Sequence, residues 1–247
     1  MSRTVTWLVL AAAILWSLGS ADMGLEKLPG AKARLGEFFG RMLPPDMSIW
    51  PEVLQGLAET LRIAILGTFF AVLFSVVLGI LAAETLVPPA IWRPVRSLLA
   101  IVRAIPLILV AMLMVGAVGL GPLPGILAVT FHATGMLAKF YAEAIDTVSP
   151  EPVKALESAG ANRLQQLRWG IWPQMAPLVL RDTVFRFELN LRESLILGVV
   201  GAGGIGLYIQ TYVRSFQYDK AATVTLAIII LVLLSEAVNT ALQKRFS

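Results

Sequence analysis

The residues best suited to chemistry lie in one run, Arg181 to Gly198, which reads RDTVFRFELNLRESLILG. On a helix at about 100° per residue, Arg186, Asn190 and Glu193 share one face. Glu188 and Arg192 fall on roughly the opposite face, as an i,i+4 pair with the acid on the N-terminal side, the favourable order. The flanking sequence is apolar, and ionisable side chains in a membrane helix are costly unless paired or hydrated. Two readings follow. One set lines a polar pathway, where an arginine meets an anion with its planar fork of donors, or both sets are interhelical salt bridges that fix packing. The pathway reading is preferred for at least one arginine.

Upstream, His132, Gly135, Lys139 and Glu143 form a second stripe on one helix face. A lone histidine in an apolar helix is more often a packing residue than a ligand, and His132 is kept as a candidate for the path beside that reading. No metal site is expected, because there is one histidine and the carboxylates are scattered. The chain has no cysteine, which excludes disulfides, thiolate metal sites and cysteine nucleophiles. Gly201–Gly206, GAGGIG, matches a dinucleotide-binding fingerprint in letters only. The fingerprint needs a βαβ unit with an acid after the second strand, whereas Asp219 precedes the next apolar run, and that run is too long for a strand. These glycines are expected to stop one helix and start another.

The elements that must position these residues are membrane helices. Of 247 residues, 57% are hydrophobic and 15% charged, with mean hydropathy +0.77. A soluble domain carries about 25% charged residues, and several runs approach the ~20 apolar residues that cross a bilayer. The fold class expected is an all-α polytopic membrane protein with six transmembrane helices. The first, up to about Ser20, admits a second reading as a signal peptide cleaved near Gly19–Ala21. The mixed segment from Asp22 to Pro51 is expected outside the bilayer, with Phe38, Phe39, Met42 and Leu43 on a short interfacial helix. The remaining spans are about 63–83, 97–120 with a kink at Pro106, 125–145, 178–200 and 221–242. Ser75, Gly79 and Ala83 recur every fourth residue and invite close helix packing. Residues 1–51 then form a first helix plus an extracytoplasmic loop, and 52–247 form the core. Lys and Arg cluster around residues 93–103, 154–181 and 244–245, which puts both termini and the 146–177 segment in the cytoplasm. The net charge of +4 marks these loops and does not imply nucleic-acid binding.

That cytoplasmic segment, DTVSPEPVKALESAGANRLQQLRWGIWPQMAP, is the one polar, helix-forming interruption of an apolar chain. One helix is expected over about 152–168. The segment resembles the cytoplasmic loop of ABC importer permeases, which reads Glu-Ala-Ala, three residues, Gly, nine residues, Ile-x-Leu-Pro. Gly160 and Pro173 stand at the right spacing, the triplet reads Lys154-Ala155-Leu156, and Gly170 and Trp172 replace the Ile and Leu. Phe185–Ile209, Val102–Pro106, Gly119–Ala128 and His132–Ile145 resemble the phosphonate-type permeases, and the likeness covers about Glu52 to Leu242.

The resemblance implies a type I ABC importer permease fold, a bacterial inner-membrane subunit and not an enzyme. It implies a homodimer of permeases in membrane lipid, cytoplasmic ATP-binding subunits that hold ATP and Mg, and an extracytoplasmic substrate-binding protein. The solute implied is a phosphonate, phosphite or related small phosphorus oxyanion. The substrate path would use Arg186, Glu188, Asn190, Arg192 and His132. Coupling to the ATPase would use Lys154, Ala155, Leu156, Gly160, Ala161 and Pro173, with Val153, Leu156, Ala161 and Leu164 carrying most of the contact. No Walker A motif occurs in this sequence, so if the chain moves solute uphill using ATP, another chain must supply the nucleotide site. Three alternatives stand beside this one: a similar permease for methionine or another amino acid, a single-chain ion-coupled transporter, and a membrane enzyme acting on lipid head groups. The second calls for paired broken helices, and only one glycine break is present; the third calls for an acid/base or metal cluster, which is absent.

Overall fold

The computed structural model describes residues 3–20 and 29–246, and among them there are helices and turns and no strand. By contact the chain divides at residues 43–44. The first unit holds α1 (Arg3–Ser20) and α2 (Ala31–Arg41). Ala21 of the candidate cleavage site, with Asp22, Glu26 and Lys27, lies outside the described residues. α2 bears Phe38 and Phe39 exposed and edge-to-face, ring centres 5.8 Å apart, and it ends at Arg41, so Met42 and Leu43 lie beyond the short helix expected to carry them.

The second unit holds α3 (Trp50–Ala82), α4 (Pro89–Ala104), α5 (Leu107–Val118), α6 (Pro122–Asp146), α7 (Pro150–Ser158), α8 (Arg163–Gln166), α9 (Trp172–Leu197), α10 (Gly206–Arg214) and α11 (Tyr218–Phe246). Met47–Ala82, Pro122–Asp146 and Tyr218–Ala241 are long and apolar enough to cross a membrane, and α4 with α5 makes a fourth if the bent pair is one span. α9 is 26 residues long, but its ionisable run keeps it from being equally apolar. The spans expected from the sequence correspond to α1, α3, α4 with α5, α6, α9 and α11.

Pro106 does more than kink its span. Ile105 is extended (φ −84°, ψ 119°), as the residue before a proline tends to be, and α4 and α5 meet at 85°. The helix also starts at Pro89, one turn or more before the apolar run, because Pro88 and Pro89 preset its entry. Just before α3, Asp46 accepts a hydrogen bond from the Ser48 amide at 2.8 Å. The bonds from Ser48 hold the Asp46 carboxyl below its ordinary range.

α3 and α6 form the tightest pair in the bundle. A methyl group at Gly79 would sit 2.8 Å from Tyr141 Cβ, and Ser75 Oγ donates to the Thr134 carbonyl at 3.2 Å. The small-residue stripe therefore serves helix packing, although Ala83 is buried beside Ala144, Ile145 and Met175 at the end of α6 and the start of α9. There Asp146 accepts from Thr85 N at 3.0 Å and from Arg96 Nη2 at 2.6 Å, tying the α3–α4 turn to α6.

The Gly201–Gly206 segment is a helix stop and restart. Gly198 and Gly206 pass so close that a Cβ on Gly198 would lie 2.7 Å from Gly206 Cα, and one on Gly206 would lie 2.0 Å from the Leu195 carbonyl oxygen. Ile205 N donates to Thr60 Oγ1 at 2.9 Å, which fixes the turn to α3.

Candidate functional site

α9 packs among α3, α6 and α11, so its polar residues are sorted by the helix they face. Arg186 is 2% exposed. Its Nη2 donates to Glu193 Oε2 at 2.7 Å, and its Nη1 lies 3.3 Å from Met136 Sδ on α6. Its Nε is buried without a partner. Asn190, one turn on, is completely buried. Its Nδ2 donates to Thr68 Oγ1 on α3 at 2.8 Å, and its Oδ1 has no partner. His132 on α6 lies against the Ile105 backbone, within reach of the Arg186 charge; its Nδ1 is also buried and unpartnered. Arg186, Asn190 and Glu193 thus share a face, and His132 belongs to the same electrostatic neighbourhood.

Three polar atoms without partners, one each on Arg186, Asn190 and His132, are unusual in a folded interior. Each such atom costs roughly 1–3 kcal/mol, and a native chain that keeps several calls for an explanation such as a role in binding or a bound water. A guanidinium Nε–H presents a donor, Asn190 Oδ1 an acceptor, and His132 Nδ1 either, according to its tautomer. The three thus include a donor on a charged group and an acceptor, neither of them used within the bundle.

The opposite face of α9 differs. Arg192 Nη2 meets Glu188 Oε1 at 2.5 Å and lies 4.0 Å from Glu236 on α11. Glu188 also accepts a hydrogen bond from Asn239 Nδ2 on α11. This set bridges two helices and leaves Arg192 part-exposed, its side chain at 44%. In the α6 stripe, Lys139 pairs with Glu143 at 3.2 Å on the helix surface.

The 146–177 segment is not one helix. α7 ends in a Schellman turn: Ala161 N donates to the Leu156 carbonyl and Gly160 N to the Glu157 carbonyl, each at 2.9 Å. Gly160 takes φ +80°, which favours glycine there. The next helix opens at once with a capping box, in which Asn162 N donates to Gln165 Oε1 at 2.8 Å and Gln165 N to Asn162 Oδ1 at 2.9 Å. A π-helical turn, Leu167–Ile171, then leads into α9, with Pro173 in its first turn. Gln174 ties the ends together, accepting from Ser149 N at 3.0 Å and donating to the Gly170 carbonyl at 2.7 Å.

Of the four residues expected to present an apolar face, two turn inward: Val153 and Leu156 pack against Gly170, whose added Cβ would lie 3.2 and 3.1 Å from them. Ala161 is half-buried, and Leu164 is exposed. The outward apolar surface is Leu164, Leu167, Trp169 and Trp172, with Lys154 and Ala155 also exposed on α7. The sequence reading put one helix over about 152–168 and its contact face on Val153, Leu156, Ala161 and Leu164, so Trp169 and Trp172 fell outside that face. The glycine followed by N-x-x-Q was the signal that could have found the break.

Among the described residues, α9 carries the ionisable run, a glycine-rich break follows it, and a polar helical segment joins α6 to α9. Residues 75–247 match the family described as binding-protein-dependent transport system inner membrane component, and this chain belongs to it. The chain is 38% identical to the phosphite transport system permease protein PtxC of Stutzerimonas stutzeri over 94% of its own length and 84% of that protein. It is 35% identical to the phosphate-import permease protein PhnE of Mycolicibacterium smegmatis over 84% of its length, 39% of that longer protein. Among solved structures, an inward-facing MetNI methionine ABC transporter chain superposes with TM-score 0.71 at 22% identity, over 82% of this chain and 99% of that one. That likeness carries the fold alone. The chain is therefore a phosphonate-type ABC transporter permease, a transport subunit with an all-α type I importer fold.

Proposed function

We propose that this chain forms the translocation path for a phosphonate, phosphite or related small phosphorus oxyanion and couples it to ATP hydrolysis in a partner subunit. The observation that supports the reading is buried Arg186 with its unpartnered Nε, on the helix face it shares with Asn190, whose Oδ1 is also unpartnered. An oxyanion accepts from the guanidinium and, when singly protonated, donates to an acceptor such as Asn190 Oδ1. The names of the relatives, phosphite and phosphate-import permeases, support the same solute class. Glu188 and Arg192 flank the path on the α11 side and gate it.

In the assembly proposed, two copies of the chain pair in the membrane and both termini face the cytoplasm. Cytoplasmic ATP-binding subunits hold ATP and Mg, and an extracytoplasmic binding protein delivers the solute. Lys154, Ala155, Leu156, Gly160, Ala161 and Pro173 belong to the segment that meets the ATPase, α7 and α8 forming a bent lever. ATPase closure moves that lever, and α9, its direct continuation, carries the motion to Arg186. The deciding experiment is uptake of radiolabelled phosphite and methylphosphonate by vesicles holding the full complex. Arg186→Gln is expected to abolish uptake while the complex still assembles; full uptake by that variant would retire the anion path.

A further inference from the structure

A cavity of about 180 Å³ lies between the end of α3, α4 and α6, and none of its lining residues is among those of the Arg186 cluster. Its polar lining is Arg96, Arg103, Lys139 and Glu143, against an apolar wall that includes Ala82 and Leu99. Three cations thus face one carboxylate. Arg96 is already satisfied, its Nη2 bound to Asp146 at 2.6 Å and its Nε to the Ala82 carbonyl at 2.8 Å. Lys139 holds Glu143 at 3.2 Å, but both side chains are about half exposed, 43% and 54%. Such a surface pair contributes little, and a better anion can take the ammonium from it.

Arg103 is the residue left over. It occupies the last turn of α4, just before the 85° bend. Its Nε is buried without a hydrogen-bond partner, and no carboxylate among the described residues lies within salt-bridge distance of it. Its stem is held in place by the close approach of α4 to α6, where a Cβ on Gly135 would lie 3.2 Å from Arg103 Cγ. A positioned, half-buried guanidinium with a desolvated donor carries a free-energy cost, which a group accepting from it would recover.

We propose that this cavity binds a phosphate group, with Arg103 as its principal ligand and Lys139 as the second. The guanidinium fork matches two oxygens of a tetrahedral oxyanion, and the lysine ammonium supplies a point charge to a third. Two sources share that chemistry. One is the head group of an anionic phospholipid, whose phosphate Arg and Lys side chains recognise. The other is a free phosphate ion. The site stands whether or not Arg186 carries solute, since the two share no residue.

The test uses the intact permease–ATPase complex in two forms. In phosphatidylcholine nanodiscs, inorganic phosphate is titrated calorimetrically. In detergent, retained phosphatidylglycerol is counted by native mass spectrometry. Arg103→Gln is compared with Arg93→Gln, which removes the same charge from an exposed position of α4, where Arg93 only stacks on Trp92 at 5.3 Å. Whichever probe binds the wild-type complex, Arg103→Gln is expected to weaken it about tenfold, and Arg93→Gln to leave it within about twofold. Phosphate titration names the soluble ion; retention of phosphatidylglycerol alone names the lipid. If Arg103→Gln fails to assemble, Lys139→Gln, a surface change, is read instead and should weaken the same probe about threefold. The proposal is overturned if neither probe binds the wild-type complex, if Arg103→Gln binds normally, or if both α4 variants lose binding equally.

Discussion

Arg186 and Glu193 stand two helical turns apart on one face of α9, joined at 2.7 Å, with the arginine 2% exposed and the glutamate side chain 28% exposed. The acid is the more exposed of the two and the cation is buried. Removing one partner leaves the other charge buried and costs roughly 3–5 kcal/mol, whereas replacing both by apolar residues of similar size is often close to neutral. Glu193→Gln should therefore lower the thermal midpoint of the detergent-solubilised complex by several degrees. The double variant Arg186→Met, Glu193→Leu should recover most of that loss yet take up no phosphite. Recovery of uptake along with stability would assign the pair to packing alone.

Glu188 serves a different contact, since it binds Arg192 along α9 and Asn239 across to α11. Its side chain is 12% exposed, so its removal leaves Asn239 Nδ2 without that acceptor. Glu188→Ala is expected to destabilise the bundle by about 1–3 kcal/mol. Asn239→Ala, measured with it in a double-mutant cycle, should show clear coupling. Additive losses in thermal unfolding would break the link between these helices.

Much of this was legible in the sequence. The two faces of α9 follow from spacing alone, because 100° per residue separates Arg186, Asn190 and Glu193 from Glu188 and Arg192 whatever the surroundings. The glycine break at 201–206 and the small-residue stripe of α3 were legible for the same local reason. Partners drawn from distant positions were not. Thr68 meets Asn190 across 122 residues and Tyr212 meets Glu52 across 160, and nothing local encodes either meeting. The break at Gly160 was written locally, in a Schellman glycine and a capping box, but helix propensity on both sides masked it. The bend at Pro106 went further than a kink because Ile105 lost its helical conformation as well.

Gly160 has open space around it, so any effect of substitution there comes from its backbone. At φ +80° a side chain costs roughly 1–2 kcal/mol, and Gly160→Val should favour a straighter α7–α8 junction. Uptake should fall while ATPase copurification stays close to wild type, and basal hydrolysis should become less responsive to the binding protein. Normal uptake by Gly160→Val would mean that the bend is not needed for coupling.

The outward surface of the same segment makes a separate prediction about docking. Leu164 is 73% exposed, Trp169 65% and Trp172 52%, whereas Val153 and Leu156 pack against Gly170. A photoreactive amino acid at 164 or 169 should cross-link to the ATP-binding subunit, and one at 153 should not. Trp169→Ser should reduce ATPase copurification, because a large aromatic anchor at an interface commonly contributes about 2 kcal/mol or more. Val153→Ser should instead loosen the segment's own packing, lowering stability without removing a docking contact. Cross-linking at 153 and not at 164 or 169 would restore the continuous-helix arrangement and turn the face of α7 around.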